Sequence, residues 1–170
     1  MKVSAKEEYG LRCMLQLARR QSEERLGQSH QRPEPLSLAE IARHEGLTVA
    51  YVAKLIARLR RAGLVRSVLG RSGGYTLARD ASEISVLEVL GPLGGKLYNT
   101  DYCNRFAGDM KGCAHLDDCS MRALWGVVEG LLDRVLGQTM LTDLIGTERH
   151  ALALLDGRSP AIMPIVRRSR

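Results

Sequence analysis

Two adjacent stretches decide the fold: SLAEIARHEGLTVAYVAKLIARLRRAG at residues 37–63 and LVRSVLGRSGGYTL at residues 64–77. Ser37 and Glu40 have the spacing of a capping box, in which the hydroxyl and the carboxylate satisfy each other's backbone N–H. Leu38, Ile41 and Ala42 then form the apolar side of a short helix, and Gly46 is placed to end it in a left-handed conformation. Thr48 caps a second helix whose inward stripe is Val52, Leu55, Ile56 and Leu59, stopped by Gly63. Two capped helices joined by a glycine-containing turn are a helix-turn-helix. Lys54, Arg58 and Arg61 fall at i, i+4 and i+7, on one face beside the apolar stripe. Residues 64–68 and 75–77 read as two strands around a glycine-rich turn, a basic hairpin directly after the helix-turn-helix. The fold class is therefore mainly α: a winged helix-turn-helix with a β-hairpin wing.

Upstream, Ser4 and Glu7 form another capping box, and Leu11, Met14, Leu15 and Ala18 continue a first helix of about four turns. Residues 20–35 lack periodicity and read as a loop. Downstream, Ser85 to Leu90 is a short helix. Residues 91–118 hold glycines, acids and three cysteines with little periodicity. From Ser120 to Leu136 the pattern turns helical, with Leu124, Val127, Val128, Leu131, Leu132 and Val135. That stripe, with Trp125, is too broad for a lone surface helix and calls for a partner. The simplest partner is the helix's own two-fold mate, which makes this a C-terminal dimerisation helix. Thr139 to Ile145 adds a turn or two, and the tail from Thr147 reads as mobile. The expected organisation is a DNA-binding unit over 1–80, a connecting helix and cysteine loop over 81–119, a dimerisation region over 120–146 and a flexible tail over 147–170.

The chain has 170 residues, 45% hydrophobic and 26% charged, an ordinary globular composition. Its charge is uneven. Residues 1–79 hold 15 Lys and Arg against 7 Asp and Glu, residues 80–146 hold 5 against 10, and residues 147–170 hold 5 against 2. A basic first half points to a polyanion, and an acidic second half to a separate role. No apolar run reaches the roughly 18 residues that a membrane helix needs. The polar N-terminus lacks a signal-peptide core. The expected location is the reducing cytoplasm, where cysteines serve as ligands or core thiols.

Lys54, Arg58 and Arg61 alone would pass for a solvated helix face. In sequence with paired caps, a turn glycine and a basic hairpin they point to duplex DNA, with these side chains on phosphates. Thr48, Ala50 and Tyr51 at the helix start would face base edges in the major groove, and Arg71 would lie in the minor groove or along phosphates. No nucleophile–base–orienter set, phosphate-cradling loop or dinucleotide motif occurs, so an enzyme is not expected. Cys13 sits in the first helix as a small core residue. Cys103, Cys113 and Cys119 share one irregular segment, separated by nine and five residues. Zinc sites favour tight Cys-x2-Cys pairs, absent here, whereas iron–sulphur clusters accept varied spacing. A structural zinc or a thiol–disulfide switch is the alternative.

The stretches YGLRCML (9–15), LAEIA (38–42), ARLRRAGLVRSV (57–68), GRSGGYTL (70–77) and CSMRALW (119–125) resemble the iron–sulphur winged-helix repressors that include IscR, NsrR and RirA. The resemblance covers residues 1 to about 146. It implies a homodimer built on the long helix after the last cysteine, and an iron–sulphur cluster (2Fe–2S or 4Fe–4S) held by Cys103, Cys113 and Cys119. It implies a repressor whose hold on its operator follows iron supply, cluster status, nitric oxide or redox stress. Two departures stand out: the first cysteine gap is longer than usual, and Arg122 occupies the place of the ligating histidine of the IscR type. Arginine has no lone pair for a metal. NsrR-like members use an acid from the partner's first helix, and Glu8 stands at that position, with Glu7, His115, Asp117 and Asp118 as competitors.

Overall fold

The computed structural model describes residues 3–23, 35–70, 73–94, 113, 115 and 118–158. The elements run α1 (Ala5–Glu23), α2 (Leu38–Glu45), α3 (Val49–Arg61), β1 (Val65–Val68), β2 (Gly74–Leu77), α4 (Val86–Leu90), α5 (Ser120–Gln138) and α6 (Glu148–Arg158). Short 3-10 turns lie at Ala81–Glu83 and Leu141–Leu144.

The caps act where the sequence places them. Ser37 accepts from the Glu40 N–H while the Glu40 carboxylate takes the Ser37 N–H at 2.8 Å. Gly46 closes α2 at φ +66°, a backbone conformation that costs a side chain but not glycine. The Thr48 hydroxyl accepts from Tyr51 N–H at 3.3 Å and so starts α3. Ser4 and Glu7 form their box at the head of α1, with the Ser4 N–H on Glu7 Oε2 at 2.7 Å. Ser85 and Glu88 do the same for α4.

β1 and β2 pair antiparallel, Val65 opposite Leu77 and Val68 opposite Gly74. Leu36 adds an isolated bridge to Tyr75, with N–H···O bonds of 3.0 and 2.8 Å in the two directions. The end of the 20–35 segment is thereby tied to the wing. The core is shared by α1 (Cys13, Met14, Leu17), α2 (Ile41), α3 (Val52, Leu55, Ile56, Leu59) and the base of the hairpin (Val65, Leu77), all at or below 3% exposure. Each element thus removes its inward apolar stripe from water, the main favourable contribution in folding.

α5 is held at its far end. Thr139 O accepts from Val86 N–H at 2.8 Å, and Leu141 N–H donates to Ile84 O at 3.0 Å, closing a Ser85–Met140 bridge. Buried Leu141 and Leu93 seal that junction against α1 and α4. The segment after Thr147, expected to be mobile, instead forms α6 over Glu148–Arg158. The Thr147 hydroxyl accepts from His150 N–H at 3.3 Å and Glu148 lies in the first turn, a start signal that the closing prolines and arginines obscure. No helix among the described residues is long and apolar enough to cross a membrane.

Candidate DNA-reading surface and cysteine centre

α3 turns its apolar stripe into the core and leaves Thr48, Ala50, Lys54, Arg58 and Arg61 exposed. These are the residues expected to meet DNA, and they lie on the outward side of one helix. Arg61 is partly tied back, its Nε on Ala57 O at 3.2 Å. Tyr51 also braces the helix, because its ring packs edge-on against Tyr9 of α1, centroids 6.1 Å apart at 84°, a favoured aromatic geometry. Arg71 lies outside the described residues. Arg60 and Arg66, which the sequence reading did not single out, are exposed as well. Arg66 is aimed by a cross-strand bond from its Nε to Thr76 Oγ1 at 3.0 Å. The signal was available as an imbalance: residues 46–79 contain Lys54, Arg58, Arg60, Arg61, Arg66, Arg71 and Arg79 and no Asp or Glu.

The cysteines separate into two kinds. Cys13 is fully buried, and burial, with Glu45 nearby, pushes its thiol up to about 12. It is a packing residue, as expected. Cys113 and Cys119 are free thiols, each half-exposed. Cys119 is the N-cap of α5, and its Sγ accepts the Arg122 N–H at 3.4 Å. Thiolate is the form that binds iron, so the donor chemistry of the described cysteines fits the group that the family likeness implies. Cys103 and Asp117 lie outside the described residues. Among the described residues no three His, Cys, Asp or Glu side chains converge. Arg122 contributes its backbone N–H to Cys119.

On α1, Glu7 is engaged by the Ser4 cap. Glu8 is exposed, and its Oε1 accepts from Arg12 Nε at 2.8 Å. The hydrogen bond to Glu8 holds the Arg12 guanidinium above its ordinary range. Arg12 also lies over the Tyr9 ring, 5.6 Å from its centroid. Glu8, Arg12, Tyr9 and Tyr51 thus form one contiguous set from the exposed start of α1 to the first turn of α3.

α5 buries none of its residues in the single chain. Met121, Leu124, Trp125, Val127, Leu131 and Val135 are 37–63% exposed. A helix so apolar, beginning at a cysteine and anchored at its far end, is an uncovered face.

The fold and these surfaces define a winged-helix DNA-binding regulator. Residues 3–147 match the model of the Rrf2 family, described as an iron-dependent transcriptional regulator, and the chain belongs to that family. It is 32% identical over 148 residues to the HTH-type transcriptional regulator IscR of Photorhabdus laumondii, covering 87% of this chain and 81% of the relative. It is 32% identical over 145 residues to protein rrf2 of Nitratidesulfovibrio vulgaris, covering 85% and 87%. Among solved structures, T. potens IscR superposes with a TM-score of 0.64 at 33% identity, covering 85% of this chain and 86% of that one. CymR of B. subtilis, described as its global cysteine regulator, superposes with a TM-score of 0.65 at 29% identity, covering 85% and 96%. The chain, like these relatives, is a transcription regulator and not an enzyme.

Proposed function

We propose that the chain acts as a homodimeric repressor whose grip on its operator is set by an iron–sulphur cluster. The observation that carries this reading is the junction at Cys119. One residue is both an expected cluster thiolate and the N-cap of the helix that offers the uncovered apolar face. Cys103, Cys113 and Cys119 would hold the cluster, and Glu8 of the second subunit would complete it. When bound, the cluster supplies a centre sensitive to iron supply, oxidants and nitric oxide. Residues 1–80 form the DNA-reading unit and 81–119 the cluster segment. Residues 120–146 pair the subunits, and 147–170 form a tail that begins as α6.

The protein's own part is to hold and to transmit. α5 buries Val127, Leu131 and neighbours against a second copy and so fixes the distance between the two recognition helices. Thr48, Ala50 and Tyr51 meet base edges, while Lys54, Arg58, Arg61 and Arg71 meet phosphates. Glu8 must leave Arg12 to serve as a ligand, and Arg12 lies on the ring that braces Tyr51. The ligand state of Glu8 is therefore coupled to the start of α3, at the scale of about 1–3 kcal/mol usual between linked sites.

The test is anaerobic purification of the full chain with iron and sulphide counts and visible absorbance. A brown protein with iron and sulphide is expected. Cys103→Ala, Cys113→Ala and Cys119→Ala should each lose iron, and Cys13→Ala should keep it. Glu8→Ala should stay dimeric, with a labile cluster and equal operator affinity in both cluster states. A colourless wild type overturns the cluster reading. In that event a structural zinc or a thiol switch takes its place, the thiol switch favoured by two free, half-exposed thiols among the described residues and by the likeness to S. aureus CymR, whose oxidised form is a solved structure at 31% identity.

A further inference from the structure

Leu69 is 95% exposed, more than any other large apolar residue among those described. It follows β1 at the tip of the wing, with Gly70 behind it at φ +129°. The core side of the hairpin is already filled by Val65 and Leu77, at 2% and 3% exposure. Leu69 therefore does nothing for the packing of its own chain. Its surroundings are positive: Arg66 lies three residues away, and residues 46–79 carry seven basic side chains and no acid. A surface of that charge selects a polyanion, so a bound polyanion is what Leu69 meets.

We propose that Leu69 packs on the floor of the DNA minor groove beside the site read by α3, and so selects A·T pairs there. This rests on the DNA-binding reading and adds to it a residue that sets specificity. The minor-groove edge of an A·T pair carries acceptors only, whereas G·C adds the guanine N2 amino donor at the groove floor. Leucine has nothing to accept that hydrogen bond. Seated over G·C, it strips water from the amino group without replacement, which is the costly case for a buried donor. Seated over A·T, it meets no stranded donor. Narrow A·T-rich grooves also carry the stronger negative potential, which suits Arg66.

Full-length protein, purified anaerobically, is used to select duplexes from a random pool, in parallel with Leu69→Ala. The residue is exposed, so the substitution leaves the fold intact. The wild type should yield a two-fold motif containing A·T positions that disappear from the Leu69→Ala motif, while the positions read by α3 remain. Replacing those A·T pairs by G·C should weaken wild-type binding by about tenfold. Replacing them by inosine·C, which lacks the N2 amino group, should restore most of the loss. Leu69→Ala should bind all three duplexes alike. An unchanged Leu69→Ala motif overturns the proposal, and so does inosine·C binding as weakly as G·C. A uniform loss of affinity without loss of A·T preference also overturns it, because Leu69 would then touch the duplex without reading it. A wild type that selects no motif defeats the DNA-binding reading itself, and the proposal with it.

Discussion

Gly10 offers a measurable test of how α1 seats against the entry to the cysteine segment. A methyl on Gly10 would overlap Leu93 Cδ1 and stand 2.9 Å from Cδ2 and 3.1 Å from Cγ. Carbon pairs rest at roughly 3.5–4.0 Å. Leu93 is 1% exposed, so moving its side chain aside means disturbing the core neighbours packed around it. Overpacking of this kind costs about 1–3 kcal/mol. Against it stands the gain of about 1 kcal/mol from replacing glycine by alanine inside a helix. Gly10→Ala should therefore lose about 1 kcal/mol of stability where helix propensity alone predicts a gain of that size. Leu93→Ala should cost about 2–5 kcal/mol by leaving a cavity. In the double variant the new methyl partly fills that cavity, so the two losses should fall short of additivity by at least about 1 kcal/mol. The assay is urea unfolding of the reduced apo protein, followed by circular dichroism at one fixed protein concentration because subunit association contributes to stability. A stabilised Gly10→Ala with an additive cycle would refute the close approach of α1 to Leu93. The contact matters for function because Gly94 comes next, where a methyl would overlap the Glu7 carboxylate. The chain thus enters the cysteine segment wedged against the turn of α1 that carries Glu8.

Three further outcomes are expected. With its thiol pushed up to about 12 by burial, Cys13 should resist iodoacetamide in the folded apo protein at mildly alkaline pH while Cys113 and Cys119 react; mass spectrometry showing Cys13 modified as fast as Cys119 would contradict this. Hydrogen bonds from Ser37, through its hydroxyl and then its N–H, hold the Glu40 carboxyl below its ordinary value of 4.5, and the Ser85 N–H with Arg79 does the same for Glu88. Because the folded-state values are the lower ones, this contribution is complete above pH of about 4.5 and is lost as pH falls through and below that point. Ser37→Ala and Ser85→Ala should each cost about 1 kcal/mol near neutral pH as lost caps, and Ser37→Ala, which removes the hydroxyl bond to Glu40, should also flatten the acid limb of the stability profile; equal acid sensitivity in Ser37→Ala and wild type would sink the idea. On DNA, Lys54→Ala and Arg58→Ala should weaken all sequences alike and lower the salt slope by about one each, whereas Tyr51→Phe, which keeps the ring contact with Tyr9, should change only which operator is preferred. Gel-shift titrations showing the reverse division would reject these roles.

Short-range chemistry was legible in the residues themselves. The boxes at Ser4 and Ser37, the Thr48 cap and the turn at Gly46 all involve partners within four positions, so the spacing alone specifies them. The same holds for the stripe of α3 and for the excess apolar surface of α5, because helical period converts composition into faces. The burial of Cys13 was legible too, since it lies in a helical apolar pattern, whereas Cys113 and Cys119 do not. What the tertiary structure decided lies between residues far apart in the chain. Leu36 joins Tyr75, Tyr9 braces Tyr51, Leu93 meets Gly10, and Met140 returns to Ser85 to anchor α5. None of these pairings has a periodicity or a cap to announce it. They follow from which faces remain unpaired once the three-helix core has closed, and that is a property of the packed whole. The same reason separates Glu8 as a sequence position from Glu8 as a group. The sequence places Glu8 and Arg12 one helical turn apart, and only the fold sets the Tyr9 ring beside Arg12 against Tyr51 of the recognition helix.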